Sequence, residues 1–357
     1  MEYCLEVPIN PVSFGQVSTS LLREVRSRGL DPCIFPINQP DLSSQKKDED
    51  FEKWLTKNII KAPKQHSRNN KAIKLWHLNG GMGSQSKEQI LFTFYELDSP
   101  TESEINIARN NTLVTSSKYS QEIFKSYDIQ SKYVPLGFDS FNFKKLDKTY
   151  FDDDRVTFNL CGKFEHRKHH AKVIRAWLKK FGNNKKYYLQ CSIYNTFMSQ
   201  EENQRVVHEL LQGESFFNVN FVGFMNSNEV YNDFLNSANI IIGMSGGEGW
   251  GLPEFQSTAI GKHSVILNAH VYKDWANDEN SVLVSPSGKV DSHDGKFFIK
   301  GADYNQGQIF TWEEDAFISG CEEAIKRVES NPLNENGLKL QEDFTYSNTL
   351  DKILELV

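Results

Sequence analysis

Gly243-Met-Ser-Gly-Gly-Glu-Gly-Trp-Gly-Leu-Pro-Glu-Phe-Gln-Ser-Thr-Ala-Ile260 is the stretch from which the rest of the chain can be read. The run Ile240–Gly243 is apolar and reads as a buried strand. Glycines then interrupt it, and from Leu252 to Ile260 the residues read as a helix. A strand that leaves through glycines into a helix start brings backbone N–H groups and the positive end of the helix field to one point. Such a point favours an anion, by about 0.3–1 kcal/mol per exposed contact and up to about 2 kcal/mol when partly buried.

The same rhythm extends in both directions. Before the glycine turn, Val156–Gly162, Tyr187–Ser192 and Val219–Val222 read as strands, separated by helical stretches at His169–Phe181, Glu201–Gln212 and Asn228–Asn236. Ser264–Leu267 follows as another strand. The first half opens with a strand at Tyr3–Ile9, a turn-rich segment Asn10–Gly15, a helix at Val17–Arg28 and a strand at Cys33–Ile37. Gln45–Asn70 is charged, with an amphipathic patch at Phe51, Trp54, Leu55 and Ile59. Apolar runs follow at Ile73–Leu78, Ile90–Tyr95, Thr112–Thr115 and Lys132–Pro135, with a helix at Ser117–Tyr127. Strands and helices alternating in this way specify an α/β chain with doubly wound parallel sheets. The expected organisation is two Rossmann-like domains in series facing a central cleft, residues 1–150 and 151–335. Leu146–Arg155 is the linker, and 336–357 forms a C-terminal helical segment. Asp291–Gly307 reads as an irregular insertion with no evident role.

At 357 residues the chain is long for one core and natural for two. A net charge of −7 argues against a surface that embraces nucleic acid all round, while leaving room for a local basic cleft. Five scattered cysteines, Cys4, Cys33, Cys161, Cys191 and Cys321, form no C-x-x-C pair. They point away from a disulfide framework or a structural zinc and toward a reducing, cytoplasmic setting. No signal peptide or membrane span is legible.

The glycine turn carries Glu248, a carboxylate placed to reach hydroxyl groups of a bound sugar. Beside a diphosphate it would be repelled unless cations compensate. These are found in Gly162-Lys-Phe-Glu-His-Arg-Lys168, directly after a strand of the same domain. Arg167 offers a rigid fork for phosphate oxygens, and Lys163 and Lys168 offer point charges. A solvated basic turn opening a helix fits that spacing equally well. His77 closes a predicted strand and would face the cleft, followed by a loop at Asn79, Gly80 and Gly81; a histidine simply hydrogen-bonded at a strand end is the plainer reading. Glu96 and Asp98 could orient an acceptor hydroxyl or be ordinary loop residues. Phe224 and Met225 could border a nucleobase or merely end a strand. His166, His169 and His170 lack the partners of a metal site, Ser245 and Ser257 lack a hydrolase elbow, and Asp152–Asp154 reads as solvated linker.

Four segments together carry a resemblance: Gly162-Lys-Phe-Glu-His-Arg-Lys168, Phe221-Val-Gly-Phe-Met225, Glu248-Gly-Trp-Gly-Leu-Pro253 and Ala259-Ile-Gly-Lys-His-Ser-Val-Ile266. In this order they are similar to the C-terminal domain of retaining GT-B glycosyltransferases, especially glycosyltransferase family 4. The first half agrees more loosely. Phe14-Gly15-Gln16 resembles the glycine loop after the first strand, and Phe94-Tyr-Glu-Leu-Asp98 resembles the segment lining the acceptor side. Val114–Tyr119 through Val134–Asp139 resembles the end of that domain.

The resemblance implies transfer of a hexose-type sugar from a nucleoside diphosphate, uridine- or guanosine-linked, with the anomeric configuration kept, no metal and no cofactor beyond the donor. It assigns Lys163 and Lys168, with Arg167 beside them, to the diphosphate and Glu248 to the sugar. Backbone at Gly247, Gly249, Trp250, Gly251 and Leu252 would face the phosphates and sugar. Gln256 stands where the family has a glutamate for the ribose. The implied acceptor is a saccharide or lipid-linked saccharide. Two alternatives stay open: a hydroxymethylated base in DNA, contacted by the basic strip Lys46–Lys74, and a module that binds a nucleotide sugar without turnover.

Overall fold

The computed structural model describes residues 3–357. Its first sheet is built from β1 (Tyr3–Pro8), α1 (Ser13–Ser27), β2 (Cys33–Ile37), α2 (Glu49–Gln65), β3 (Lys71–Leu75), β4 (Glu88–Thr93), α3 (Glu102–Arg109), β5 (Thr112–Thr115), α4 (Lys118–Lys125) and β6 (Ser131–Tyr133). The strand order is β2-β1-β3-β4-β5-β6, with every pair parallel.

The second sheet repeats the scheme with β7 (Val156–Cys161), α5 (His170–Phe181), β8 (Tyr187–Ser192), α6 (Gln200–Leu210), β9 (Val219–Phe221), α7 (Asn228–Ser237), β10 (Ile240–Gly243), α8 (Leu252–Ala259), β11 (His263–Leu267), α9 (Tyr272–Trp275) and β12 (Val282–Val284). Its order is β12-β11-β10-β7-β8-β9, again all parallel. Both sheets are covered by helices, which is why their central strands read as continuous apolar runs; Ile240, Ile241 and Ile242 are wholly buried.

The order of the second sheet decides where a ligand can sit. The chain winds outward from β7 to β9, then returns to β10 on the other side of β7. The loops after β7 and β10 therefore diverge from adjacent strands and leave a crevice at their carboxyl ends. In the first sheet β3 and β4 are likewise neighbours, so the loops bearing His77 and Glu96 leave side by side.

One element differs from the sequence reading, and the irregular stretch 291–307 gains a context. Helix α1 begins at Ser13, so Gly15 lies inside its first turn rather than in a loop. The preceding segment folds back so closely that a Cβ at Gly15 would stand 2.1 Å from the Asn10 carbonyl oxygen, which only glycine permits. The insertion after β12 is an antiparallel hairpin, β13 (Gly288–Asp291) and β14 (Gln308–Thr311), joined by a long loop. It crosses to the N-terminal lobe, where Phe298 and Ile309 join the hydrophobic cluster of Leu91, Leu97 and Ile105.

The chain then runs through α10 (Glu314–Ser330), two short helices α11 (Glu335–Leu338) and α12 (Leu340–Asp343), and α13 (Tyr346–Leu354). Helix α13 lies on the N-terminal lobe. The Thr349 hydroxyl donates to the Pro135 carbonyl at 2.8 Å, and Arg28 is paired with Asp351. Among the described residues no helix is long and apolar enough to cross a membrane, and the five cysteines are free thiols.

Candidate functional site

The loop after β7 makes a short turn over His166–Lys168 and then places His169 in the left-handed region (φ 56°) before α5 begins. This abrupt entry turns Arg167 and Lys168 inward, and both are buried despite their charge. The loop after β10 comes to meet them. The Gly246 amide donates to the Arg167 carbonyl at 2.8 Å, and Arg167 Nη1 donates to the Gly247 carbonyl at 2.6 Å. Backbone and side chain thus hold the two loops in one register.

Glu248 sits at their meeting point. Its Oε1 accepts from Lys168 Nζ in a short hydrogen bond and lies 3.2 Å from Arg167 Nη1. Arg167 is shared further, with Nε 3.0 Å from Glu165 Oε2 and Nη2 3.2 Å from Glu96 Oε1. Lys163 completes the group, 2.9 Å from Glu165 Oε1. Burial alone would neutralise these side chains, and their mutual charges reverse that for most of them. For Glu248 burial is outweighed by Lys168 and then Arg167, which hold its carboxyl far below the usual range. Glu165 is held low in the same way, by Arg167 and Lys163. For Lys168 burial is outweighed by Glu248, and the ammonium stays charged. Glu96 is the exception: burial dominates over Arg167, Glu248 adds repulsion, and its carboxyl is pushed up to about 7.

The N-terminal lobe closes over this cluster. A Cβ on Gly247 would meet the Glu96 carbonyl oxygen at 2.6 Å, and one on Gly249 would meet Phe94 Cβ at 2.4 Å. The Ser116 hydroxyl donates to the Gly249 carbonyl at 2.6 Å. The glycines of the turn are thus needed for contact between the lobes as well as for any approach of a ligand. His77 opens to solvent in the cleft, its ring tilted at 51° to that of Phe14 with 4.4 Å between centroids. The cleft walls around it, then the charges of Lys163 and Arg167, push its pKa down, which favours the neutral imidazole. On one flank Gln16 and Asn228 exchange side-chain amide hydrogen bonds between the lobes. On the other, the hairpin insertion is fastened to Asp98, whose carboxylate accepts from Lys289 Nζ and from the Gln308 amide, both at 2.7 Å.

No family model matches the sequence, and no curated protein matches it. Solved structures do match, over nearly the whole chain. Sucrose-phosphate synthase from Thermosynechococcus elongatus superposes with a TM-score of 0.70 at 13% identity, covering 99% of this chain and 97% of that one. A glycosyltransferase from Rickettsia africae gives 0.67 at 12% identity, with the same coverages. HepE from Anabaena, in complex with UDP and glucose, gives 0.64 at 12% identity, covering 100% of this chain and 99% of that one.

The chain has the GT-B fold.

Within the GT-B frame the predicted residues fall into three groups. Lys163, Arg167, Lys168, Glu248, Gly247 and Glu96 converge on one cluster, buried at Arg167, Lys168 and Glu248 and partly open at Lys163 and Glu96, with His77 opposite. Gly249, Trp250, Gly251 and Leu252 form the turn into α8, where Gly251 is the left-handed N-cap (φ 76°). Trp250 is buried, its ring packed against Phe255 and Phe344 and its carbonyl accepting from Trp275 Nε1. Gln256 is buried in α8. Phe224 and Met225 follow β9, and Phe224 is exposed. Gly15 is a packing residue of α1, Asn79 is exposed in the loop after His77, and both oxygens of Asp98 are taken by the insertion. The basic strip is largely paired with acids of this chain: Lys47 with Glu49, Lys53 with Asp50, Lys57 and Lys61 with Asp31, Lys74 with Glu6. Phosphates would have to displace those partners.

Glu254 was not singled out from the sequence. A glutamate in the first turn of a helix ordinarily reads as a solvent-facing partner of the helix field, and here it is only 2% exposed. Periodicity could have raised it, since Glu254 shares a helix face with the core residue Thr258 one turn on.

Proposed function

We propose that the protein moves a sugar from a nucleoside diphosphate to a hydroxyl of a saccharide or lipid-linked saccharide, with the anomeric configuration kept. The observation that carries this reading is Glu248 held by Lys168 and Arg167 at the start of α8, in the crevice between two GT-B lobes. The solved structure of HepE with UDP and glucose lends the same fold a ligand of this class.

Lys168, Arg167 and Lys163 supply three positive charges for the diphosphate, and the amides entering α8 add their dipoles. These groups serve the leaving group, and no metal is assigned to the site. Glu248 is then free to exchange its lysine for hydroxyls of the donor sugar. Neutral His77 faces it from the other lobe as a hydrogen-bonding group for sugar or acceptor. In the transfer the bond from the anomeric carbon to the phosphate oxygen breaks and a bond to the acceptor oxygen forms on the same face. The acceptor's proton passes to the departing diphosphate, and preorganised charge supplies the catalysis. Gln256 offers an amide to the ribose, while Phe224 and Met225 border the base.

Thermal-shift measurements with uridine, guanosine, adenosine and thymidine diphosphates test the reading first, since a ligand of the native state must stabilise it. The diphosphate that stabilises most identifies the base of the donor to be tried with labelled sugars. Stabilisation by none of the four, or binding without any transfer or slow hydrolysis of the donor, overturns it.

A further inference from the structure

The buried cluster holds more carboxylate than cation. Lys163, Arg167 and Lys168 stand against Glu96, Glu165, Glu248 and, beneath them, Glu254. A diphosphate adds further negative charge to a place where the negative side is already in excess. At the buried heart of the cluster, where Lys168 and Glu248 are each less than a tenth exposed, the charge it brings has to be balanced from within. Lys163 and Glu96 at the rim stay partly open to solvent.

Glu254 is built into the path of that balance. Its side chain crosses the carboxyl end of β10, where a Cβ on Gly243 would stand 2.7 Å from Glu254 Cγ. The side chain of Lys168 crosses the adjacent strand end in the same manner. A Cβ on Gly162 (φ 105°) would lie 3.2 to 3.3 Å from its Cδ, Cε and Nζ. Two bare strand ends thus let a buried lysine and a buried glutamate run side by side. Glu254 Oε2 is buried beside Tyr272 at Gly251, and the phenol and the carboxyl act on each other there. The charged groups acting on Glu254 are Lys168, Glu248 and Arg167, and the titratable groups packed around it are Tyr272, Tyr231 and Cys161.

We propose that Glu254 is a positioning residue that acts through Lys168: it takes up a proton as a diphosphate arrives, and so removes a buried negative charge that would otherwise compete with the phosphate for the ammonium. This rests on the reading of Lys168 as a diphosphate ligand. Burial, only partly offset by Lys168, already pushes the Glu254 carboxyl up to about 7, so the proton is accessible at neutral pH. A neutral acid at this place leaves Lys168 with Glu248 and the ligand as its partners. An ionised one competes with the ligand.

Titration calorimetry of the most stabilising diphosphate into the full chain, in buffers of different ionisation enthalpy, reads the proton directly. The native protein takes up protons on binding at pH 7.5, and its affinity weakens as the pH rises. Glu254→Gln takes up distinctly less, binds as the native protein does at pH 6, and binds about tenfold tighter than it at pH 8.5, tenfold being the effect of one pK unit. Glu96 remains in both proteins and supplies the residual slope. Absence of proton uptake by the native protein, or a Glu254→Gln variant with native uptake and native pH dependence, overturns the proposal. A purely structural role would lower the melting temperature and leave uptake unmoved. Lys168→Ala separates the two readings: if it binds the diphosphate as tightly as the native chain, the assignment of Lys168 itself fails.

Discussion

Glu96 of the N-terminal lobe and Arg167 of the C-terminal lobe form an ion pair across the cleft, with 3.2 Å between Oε1 and Nη2. The pair draws the lobes together over the groups that would hold the donor, so a diphosphate must win Arg167 from Glu96. Burial raises the Glu96 carboxyl to about 7, and the competition is therefore strongest above neutrality, where Glu96 is ionised. Glu96→Gln is expected to tighten diphosphate binding severalfold, about three- to tenfold, at pH 8 and to change it little at pH 6. Calorimetry at the two pH values checks this; equal affinities at pH 8 would show that Glu96 does not oppose the ligand.

Lys168 and Glu248 are predicted to matter for rate more than for folding. Lys168→Ala and Glu248→Ala should each lower turnover by about two to three orders of magnitude, the scale of losing one preorganised electrostatic contact. Initial rates with the identified donor, alongside circular dichroism, provide the measurement. Near-native rates in both variants, with folding intact, count decisively against the assignment.

His77 should act as a neutral hydrogen-bonding group throughout the physiological range. The cleft walls around it and the nearby Lys163 and Arg167 lower its pKa, so the neutral form is favoured across that range. On the proposed function, His77→Asn is expected to reduce kcat about tenfold or more while leaving the shape of the pH profile between 5 and 8 as in the native protein. Disappearance of a limb in that range would show that His77 titrates there and that the stated environment is wrong.

Asp98 anchors the hairpin insertion to the opposite lobe. Burial alone would raise its carboxyl, but the hydrogen bonds from Lys289 and the Gln308 amide outweigh burial and hold it low. A depressed carboxylate contributes stability that is present above its unfolded value, near 3.8, and is lost as the pH falls through the folded one. Asp98→Ala should therefore lower the melting temperature at pH 7, with the deficit shrinking toward pH 3. It should also speed amide hydrogen exchange across β13 and β14. Unchanged exchange in the hairpin would mean that the fastening lies elsewhere.

Much of the architecture was legible because it is local. The strands at Cys33–Ile37, Thr112–Thr115, Tyr187–Ser192 and Ile240–Gly243 appear where their apolar runs predicted them. Such runs have few competing explanations when glycines and charged stretches bound them. Helix α3 escaped notice although Thr101 and Glu104 form a capping box, because its eight residues carry too short an apolar pattern. The long helix α10 is not legible either, nor are the short strands β13 and β14 that flank the irregular stretch 291–307, because their support lies on the other lobe, where Phe298 and Ile309 pack.

The two halves of the central cluster could be recognised as unusual turns, one basic and one rich in glycine, because each is a departure from the strand-and-helix pattern around it. Sequence alone therefore determined the parallel α/β class, the two cationic and acidic turns and the glycines that mark them. Only tertiary structure decided that Lys168 and Glu248, which are 80 residues apart, are partners, that Glu96 joins them and that Asp98 belongs to the insertion. Strand order brings β7 beside β10 and sets one lobe on the other, and it depends on long-range packing that no local propensity records. The buried Glu254 shows the same limit from the other side. Its identity and position are plain in the sequence, but whether such a carboxylate meets water or a lysine is settled by what folds over it.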